Sequence, residues 1–167
     1  ADTLAAVDRL TTGELILVGS SMGGWIALLT AIARPNRVKA LVGIAAAPDF
    51  TQRLMWDSMT PVERQTLVRD GVLHIPSQYG DPTPITLRLI EDGKDRLLLN
   101  APIPFGGKVR LLHGQADPDV PWELSLRIAE RVISDDVEIA LVKDGDHRLS
   151  RPGDLALLYR TVDALLD

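Results

Sequence analysis

The chain contains no cysteine. Disulfides, thiolate metal sites and a cysteine nucleophile are therefore excluded, and the absence fits a reducing compartment. Aromatic residues are scarce, at 4% of 167 residues, so aliphatic side chains must fill the core. Lys and Arg form no cluster, and the net charge is −5. The basic footprint of a nucleic-acid binder or of an anionic membrane surface is missing. No uninterrupted apolar run reaches the length of a membrane span, so stable membrane insertion is not expected. What remains is ordinary for a globular domain: 46% hydrophobic and 25% charged residues, in a chain long enough to bury one core.

The apolar pattern predicts alternating elements. Residues 2–10 (DTLAAVDRL) predict a short helix, capped by Asp2 and followed by Gly13. Residues 14–20 (ELILVGS) predict a buried strand, 22–33 a helix, and 37–47 contain the next strand. Strand–helix–strand alternation implies a parallel sheet with right-handed crossovers. Residues 48–106 break the alternation and read as an inserted helical cap within one domain spanning 1–167. Helices are expected there over 49–59, 61–70 and about 83–97, with VLHIPSQYGDPTP between the last two and five prolines punctuating the segment. A strand (108–114), a helix (121–133), a strand (137–145) and a closing helix (153–167) follow. LILVG looks hidden on both faces yet comes first of only four strands. The expectation is that further strands precede it and that the chain is the C-terminal portion of a larger α/β domain.

Gly19-Ser20-Ser21-Met22-Gly23 fits G-x-S-x-G between a predicted strand and a predicted helix. That is the setting of a nucleophile elbow, in which a sharp turn projects the middle serine, Ser21, from the sheet. Gly19 and Gly23 keep side chains out of the turn, and Gly24 lets the helix pack closely. The Met22 N–H, at the helix N-terminus, would face a developing oxyanion. The same string could also be a Gly/Ser turn without chemistry.

A nucleophilic serine needs a base, and the order on this scaffold is Ser, acid, His. Three histidines are present. His74 lies in the insertion. His113 ends a strand and reads as a hydrogen-bonding brace for the acid loop. His147, in the loop after the last strand, has acids between it and Ser21. Asp117 is the expected acid, just past strand 108–114, where ligands and catalytic groups collect in open α/β sheets. Asp119 is its rival, and Asp146 ranks below both. Asp117-Pro118-Asp119 also fits plain turn chemistry.

The ordered set G-S-S-M-G-G, H-G-Q-A-D-P-D-V-P and G-D-H resembles the α/β-hydrolase superfamily. GSSMGGWIALLTAIARPNRVKALVGIAAAPDF and PIPFGGKVRLLHGQADPDVPWELSLRIAERVISDDVEIALVKDGDHRLS resemble, more narrowly, the family of mitochondrial palmitoyl-protein thioesterases and acyl-glucuronide esterases with its bacterial relatives. The likeness runs over nearly the whole chain. It implies an α/β-hydrolase fold with a mostly parallel sheet and an inserted helical cap. It also implies a Ser21–His147–Asp117 triad with Met22 N–H as oxyanion donor. There is one departure. Members of the superfamily carry earlier strands and a second oxyanion donor on the loop after the third, and nothing here matches that loop. Losing one donor typically costs about 10²–10³ in kcat.

The expected chemistry is hydrolysis of carboxylic esters or thioesters of apolar acyl groups through an acyl-enzyme, with no metal and no organic cofactor. The substrate would be a small-molecule ester or an acylated protein. Met55, Trp56, Met59 and Trp122 are candidates to line an acyl pocket, although 55, 56 and 59 equally fit the core face of one helix. Two alternatives stand beside this reading. One is a serine peptidase of prolyl-oligopeptidase type, which shares similar motifs. The other is a degenerate hydrolase that binds ligand without turnover. A bacterial cytoplasmic location is expected from the resemblance and the lack of cysteine; the oligomeric state is not legible.

Overall fold

The computed structural model describes residues 2–77 and 80–166. The chain divides into two compact units. One is built from residues up to Pro48 together with those from Leu98 onward; the other is Asp49–Leu97.

The larger unit opens with helix α1 (Asp2–Leu10), strand β1 (Leu15–Ser20), helix α2 (Met22–Ala33) and strand β2 (Val38–Ile44). The smaller unit holds a π-helix (Thr51–Trp56), α3 (Pro61–Asp70), β3 (Val72–Ser77), β4 (Gly80–Thr86) and α4 (Leu87–Lys94). The larger unit then resumes with β5 (Lys108–Gly114), α5 (Glu123–Arg131), β6 (Val137–Val142) and α6 (Pro152–Asp163).

Four strands form a parallel sheet in the order β1-β2-β5-β6. Side chains alternate across it, as the pleat demands. Leu17, Leu41, Val109, Leu111 and Ile139 point to the face covered by Leu28 and Ala31 of α2 and Ile128 of α5. Ile16, Ala40, Val42, Leu112 and Ala140 point to the other, covered by Leu157, Leu158 and Val162 of α6. Two apolar faces explain the nearly continuous apolar strands. The edge strand is the exception. Among the described residues β1 pairs only with β2, and Val18 is 49% exposed, so LILVG is not hidden on both faces here.

Residues 98–106, assigned by the sequence to the insertion, lie in the larger unit. Leu99, Ile103 and Phe105 are fully buried in the cluster under α2 and α5, and Ile103 bridges to Val132.

The smaller unit departs from the predicted helices in two places. The helix expected over 49–59 is a π-helix, with Asp57 N–H donating to the Gln52 carbonyl at 2.8 Å. Asp49 stands just before it at φ 61, and its carbonyl accepts from Arg53 N–H at 2.9 Å before the ladder widens to the π spacing. Pro61 holds Thr60 extended, which ends the segment. The helix expected from about 83 starts at Leu87, because residues 83–86 pair antiparallel with β3, with Pro84 opposite His74. Within VLHIPSQYGDPTP, residues 78–79 lie outside the described residues. By contrast α3 follows its local code: Thr60 Oγ1 accepts from Glu63 N–H at 3.3 Å, Thr60 N–H donates to Glu63 Oε2 at 2.7 Å, and Pro61 occupies the first turn.

The glycines of the elbow divide by what surrounds them. A Cβ on Gly19 would collide with the Gly23 carbonyl, and one on Gly24 would sit 2.5 Å from Ala46 Cβ and 2.9 Å from its Cα. A Cβ on Gly23 would meet nothing within 4 Å, so that position does not need glycine for space. Gly24→Ala should therefore destabilise by about 1–3 kcal/mol through overpacking. Gly23→Ala should be neutral, or stabilise by up to about 1 kcal/mol through helix propensity. Urea unfolding of both variants checks the contrast; equal effects would refute it.

Candidate active site

The pairing register decides where the chemistry-bearing loops emerge. Ser20 lies opposite Ile44 and Ile44 opposite Leu112, while His113 and Gly114 pair with Leu141 and Val142. The loops after β1, β5 and β6 thus leave the same, C-terminal edge of the sheet. These are the loops that carry Ser21, Asp117 and His147.

Ser21 occupies φ 52, ψ −121, a strained conformation for a residue with a side chain. Its backbone is held on both sides. Ser21 N–H donates to the Ile44 carbonyl at 2.9 Å, and its own carbonyl accepts from Gly24 N–H at 2.9 Å and Ala47 N–H at 3.1 Å. The end of β2 and the start of α2 therefore enforce the turn. Met22 is the first residue of α2, where helix N–H groups lack intrahelical partners. Its side chain is half-exposed.

Asp117 and His147 meet. His147 Nδ1 lies 2.8 Å from Asp117 Oδ2, with the Asp117 side chain fully buried and that of His147 23% exposed. An ionised carboxylate can only accept, so Nδ1 carries the proton and Nε2 is left as the acceptor. Asp117 Oδ1 accepts from the N–H groups of Asp119 at 2.8 Å and Val120 at 2.9 Å. Burial opposes ionisation of Asp117. The Val120 N–H, the His147 ring and the Asp119 N–H outweigh it and hold the carboxyl below its ordinary value.

The rival acids have other work. Asp119 gives its N–H to Asp117, and its side chain is exposed. Asp146 Oδ1 accepts from Arg148 N–H at 3.1 Å and Leu149 N–H at 3.0 Å, closing the turn that follows His147. Asp117, Asp119 and His147 also bring oxygen and nitrogen atoms within 4.8 Å of one another, a spacing that can suit a cation. The Asp117 oxygens and His147 Nδ1 are already committed to one another and to backbone N–H groups, which fits a hydrogen-bonded relay rather than a metal shell.

Two glycines bring the acid and histidine loops together. A Cβ on Gly114 would collide with the Gly145 carbonyl, and one on Gly145 would lie 3.0 Å from Gly114 Cα. Gln115 N–H donates to the Val142 carbonyl at 2.8 Å and Ala116 N–H to the Gly145 carbonyl at 3.0 Å. Arg151 braces the His147 loop from below, paired with Asp144 at 2.7 Å and Asp154 at 2.8 Å. Sequence reasoning missed this scaffold. Its signal was a glycine at the end of each of two consecutive strands.

The four expected acyl-pocket residues lie in different places. Met59 is buried in the smaller unit's own core beside Leu67, Ile85 and Ile90, with Met55 and Trp56 partly buried against the same cluster. Arg64 and Lys94 lie over the Trp56 ring at 5.3 and 4.7 Å from its centroid. Trp122 is half-buried at the N-terminus of α5 in the larger unit.

A parallel sheet with helices on both faces, a strained serine between β1 and α2, and an acid and a histidine past later strands define the class. The family model described as "alpha/beta hydrolase fold" matches residues 1–71. The chain belongs to the α/β-hydrolase family. The human protein named "Palmitoyl-protein thioesterase ABHD10, mitochondrial" is 41% identical over 169 residues, covering 99% of this chain and 55% of the relative. Its mouse counterpart is 43% identical over 171 residues, with 99% and 56% covered. The structure of mouse alpha/beta hydrolase domain-containing protein 10 superposes with a TM-score of 0.90 at 40% identity, over 99% of this chain and 67% of that one. Est1E from Butyrivibrio proteoclasticus shares the fold, with a TM-score of 0.75 at 17% identity over 99% of this chain and 67% of that one. The chain spans about 55% of the length of the curated relatives it matches. The names of the thioesterase relatives place those proteins in mitochondria and lend no support to the expected bacterial cytoplasmic location. No helix among the described residues is long and apolar enough to cross a membrane.

The depressed Asp117 titration has a consequence for stability. As pH falls through the ordinary carboxylate value of 3.8, the unfolded chain takes up this proton before the folded chain does. The stabilisation from Asp117 is therefore present above that value and lost below it. The stability difference between wild type and Asp117→Asn should shrink as pH drops from about 5 to about 3. Urea midpoints across that range check it; a constant difference would contradict it.

Proposed function

We propose that this chain carries the catalytic core of a serine hydrolase that cleaves carboxylic esters and thioesters of apolar acyl groups. The observation that carries this reading is the 2.8 Å His147–Asp117 hydrogen bond, on the same sheet edge as the strained Ser21 elbow.

In this reading Ser21 Oγ attacks the acyl carbonyl while His147 Nε2 takes its proton. Asp117 holds the ring in the Nδ1–H tautomer and stabilises the imidazolium that forms. The Met22 N–H donates to the oxyanion. Collapse expels the thiol or alcohol, which takes the proton from His147. Water, activated by the same nitrogen, then releases the acid and restores Ser21. No step calls for a metal or an organic cofactor. The apolar acyl preference, and an acylated protein as one substrate, are carried over from the relatives named palmitoyl-protein thioesterase. Trp122, beside the acid loop, is the residue of the larger unit assigned to the acyl group.

A fluorophosphonate should add once to the folded chain, as read by intact mass. Ser21→Ala should abolish the adduct and His147→Ala should slow it by about 10⁴-fold or more. Thioester hydrolysis should fall on the acid side, because His147 must be neutral to take the Ser21 proton. An adduct that survives Ser21→Ala, or none on the folded chain, would overturn the assignment. Faster cleavage of peptide amides than of thioesters would favour a prolyl-oligopeptidase-type peptidase instead.

A further inference from the structure

A fully buried histidine is costly unless both ring nitrogens find partners. His113, the penultimate residue of β5, is 0% exposed. Its Nε2 lies 3.0 Å from the Val120 carbonyl, which can only accept, so Nε2 carries the proton. Its Nδ1 is then an acceptor, and the Ser125 hydroxyl of α5, itself 1% exposed, donates to it at 2.8 Å. The tautomer is thereby fixed from two elements. The same Nε2 lies 3.3 Å from Asp117 Oδ2, the oxygen that receives the His147 Nδ1 proton.

We propose that His113 is a positioning residue for the Asp117–His147 pair: its Nε2–H, shared between the Val120 carbonyl and Asp117 Oδ2, fixes the carboxylate and tempers how strongly it attracts the His147 proton. The proposal rests on the hydrolase reading above. The geometry is specific to an oriented donor. Asp117 Oδ1 is fixed by two backbone N–H groups, so His113 supplies the remaining restraint on the oxygen that faces His147. An apolar side chain of similar volume would fill the same space but leave Oδ2 with His147 as its partner. Burial keeps His113 from taking up a second proton, against the Val120 carbonyl and Asp117, which favour it. The other titratable groups at the pair are His147, from the loop after β6, and Asp119, from the acid loop itself. The element packed against His113, α5, presents the Ser125 hydroxyl there.

The sign of the effect follows. A donor on Oδ2 competes with His147 for the same charge, so removing it strengthens the Asp117–His147 bond and stabilises the imidazolium. The test is the pH profile of p-nitrophenyl butyrate hydrolysis by wild type, His113→Phe and His113→Gln. His113→Phe should lower kcat by about 10–100-fold with little change in KM, as loss of an orienting partner does. It should also move the acid limb to higher pH by about half a unit to one unit. His113→Gln, whose amide nitrogen can reach the Nε2 position, should restore both in large part. A Phe variant that only melts earlier, with kcat and the acid limb unchanged, would reduce His113 to a packing residue and overturn the proposal.

Nitrogen-15 NMR of histidine-labelled protein gives a second measurement that needs no folded Phe variant. At neutral pH His113 should be in the Nε2–H form, and its Nε2 proton should shift upfield in Asp117→Asn. An Nδ1–H tautomer, or a signal indifferent to Asp117→Asn, would overturn the proposal. Ser21→Ala protein can be used for the NMR, so failure of the hydrolase reading and failure of this one are separable.

Discussion

The close approach of Gly114 and Gly145 is the constraint on which the acid–histidine pair depends. These residues stand just past or at the ends of neighbouring parallel strands, and neither has room for a Cβ. With the backbones this near, Ala116 N–H reaches the Gly145 carbonyl and the two loops become one hydrogen-bonded unit. Asp117 and His147, 30 residues apart in sequence, then fall at 2.8 Å. Arg151, bridging Asp144 and Asp154, holds the far side of the His147 loop. A charge-assisted hydrogen bond needs geometry good to a few tenths of an ångström, and here backbone contacts, which have few alternatives, supply it.

The elbow obeys the same logic by different means. Its strain at Ser21 costs on the order of 1–3 kcal/mol and persists because the surroundings over-determine it. Hydrogen bonds from Ser21 to Ile44, Gly24 and Ala47 tie the turn to the end of β2. Gly24 against Ala46 lets α2 lie close beneath that end. Sheet register then brings the elbow to the edge where the acid and histidine loops emerge. The gathering of the Ser21, Asp117 and His147 loops at this edge is thus a product of parallel pairing, since parallel strands all end on the same side.

The polar groups buried near the site show how few spare atoms it has. Asp117 accepts from Asp119 N–H, Val120 N–H and His147 Nδ1, and His113 is satisfied at both nitrogens by Ser125 and Val120. In the smaller unit the pattern is different. Met55, Trp56 and Met59 pack into a local apolar cluster, and two cations flank the indole of Trp56. These three share one side of a helical turn for a packing reason internal to that unit.

The order of the candidate site residues along the chain, Ser21, Asp117 and His147, was legible without a structure. G-x-S-x-G between an apolar strand and a helix points to a sharp turn at Ser21, where Gly19 and Gly24 have no room for a side chain. Strand 108–114 and helix 22–33 were legible to the residue, since short apolar runs bounded by Gly, Ser and Pro residues mark both. What folding alone decided was long-range. Leu99, Ile103 and Phe105 joined the larger unit's core, although proline-rich surroundings made them look like insertion. Residues 83–86 became strand, because pairing with β3 outweighs local helix propensity. Asp117, rather than Asp119, met His147, although both sit in the same turn at nearly equal sequence distance. The sequence by itself determined which residue types stand at which strand ends; which of them touch was decided by backbone approach and register, because a hydrogen bond depends on distances that no local pattern encodes.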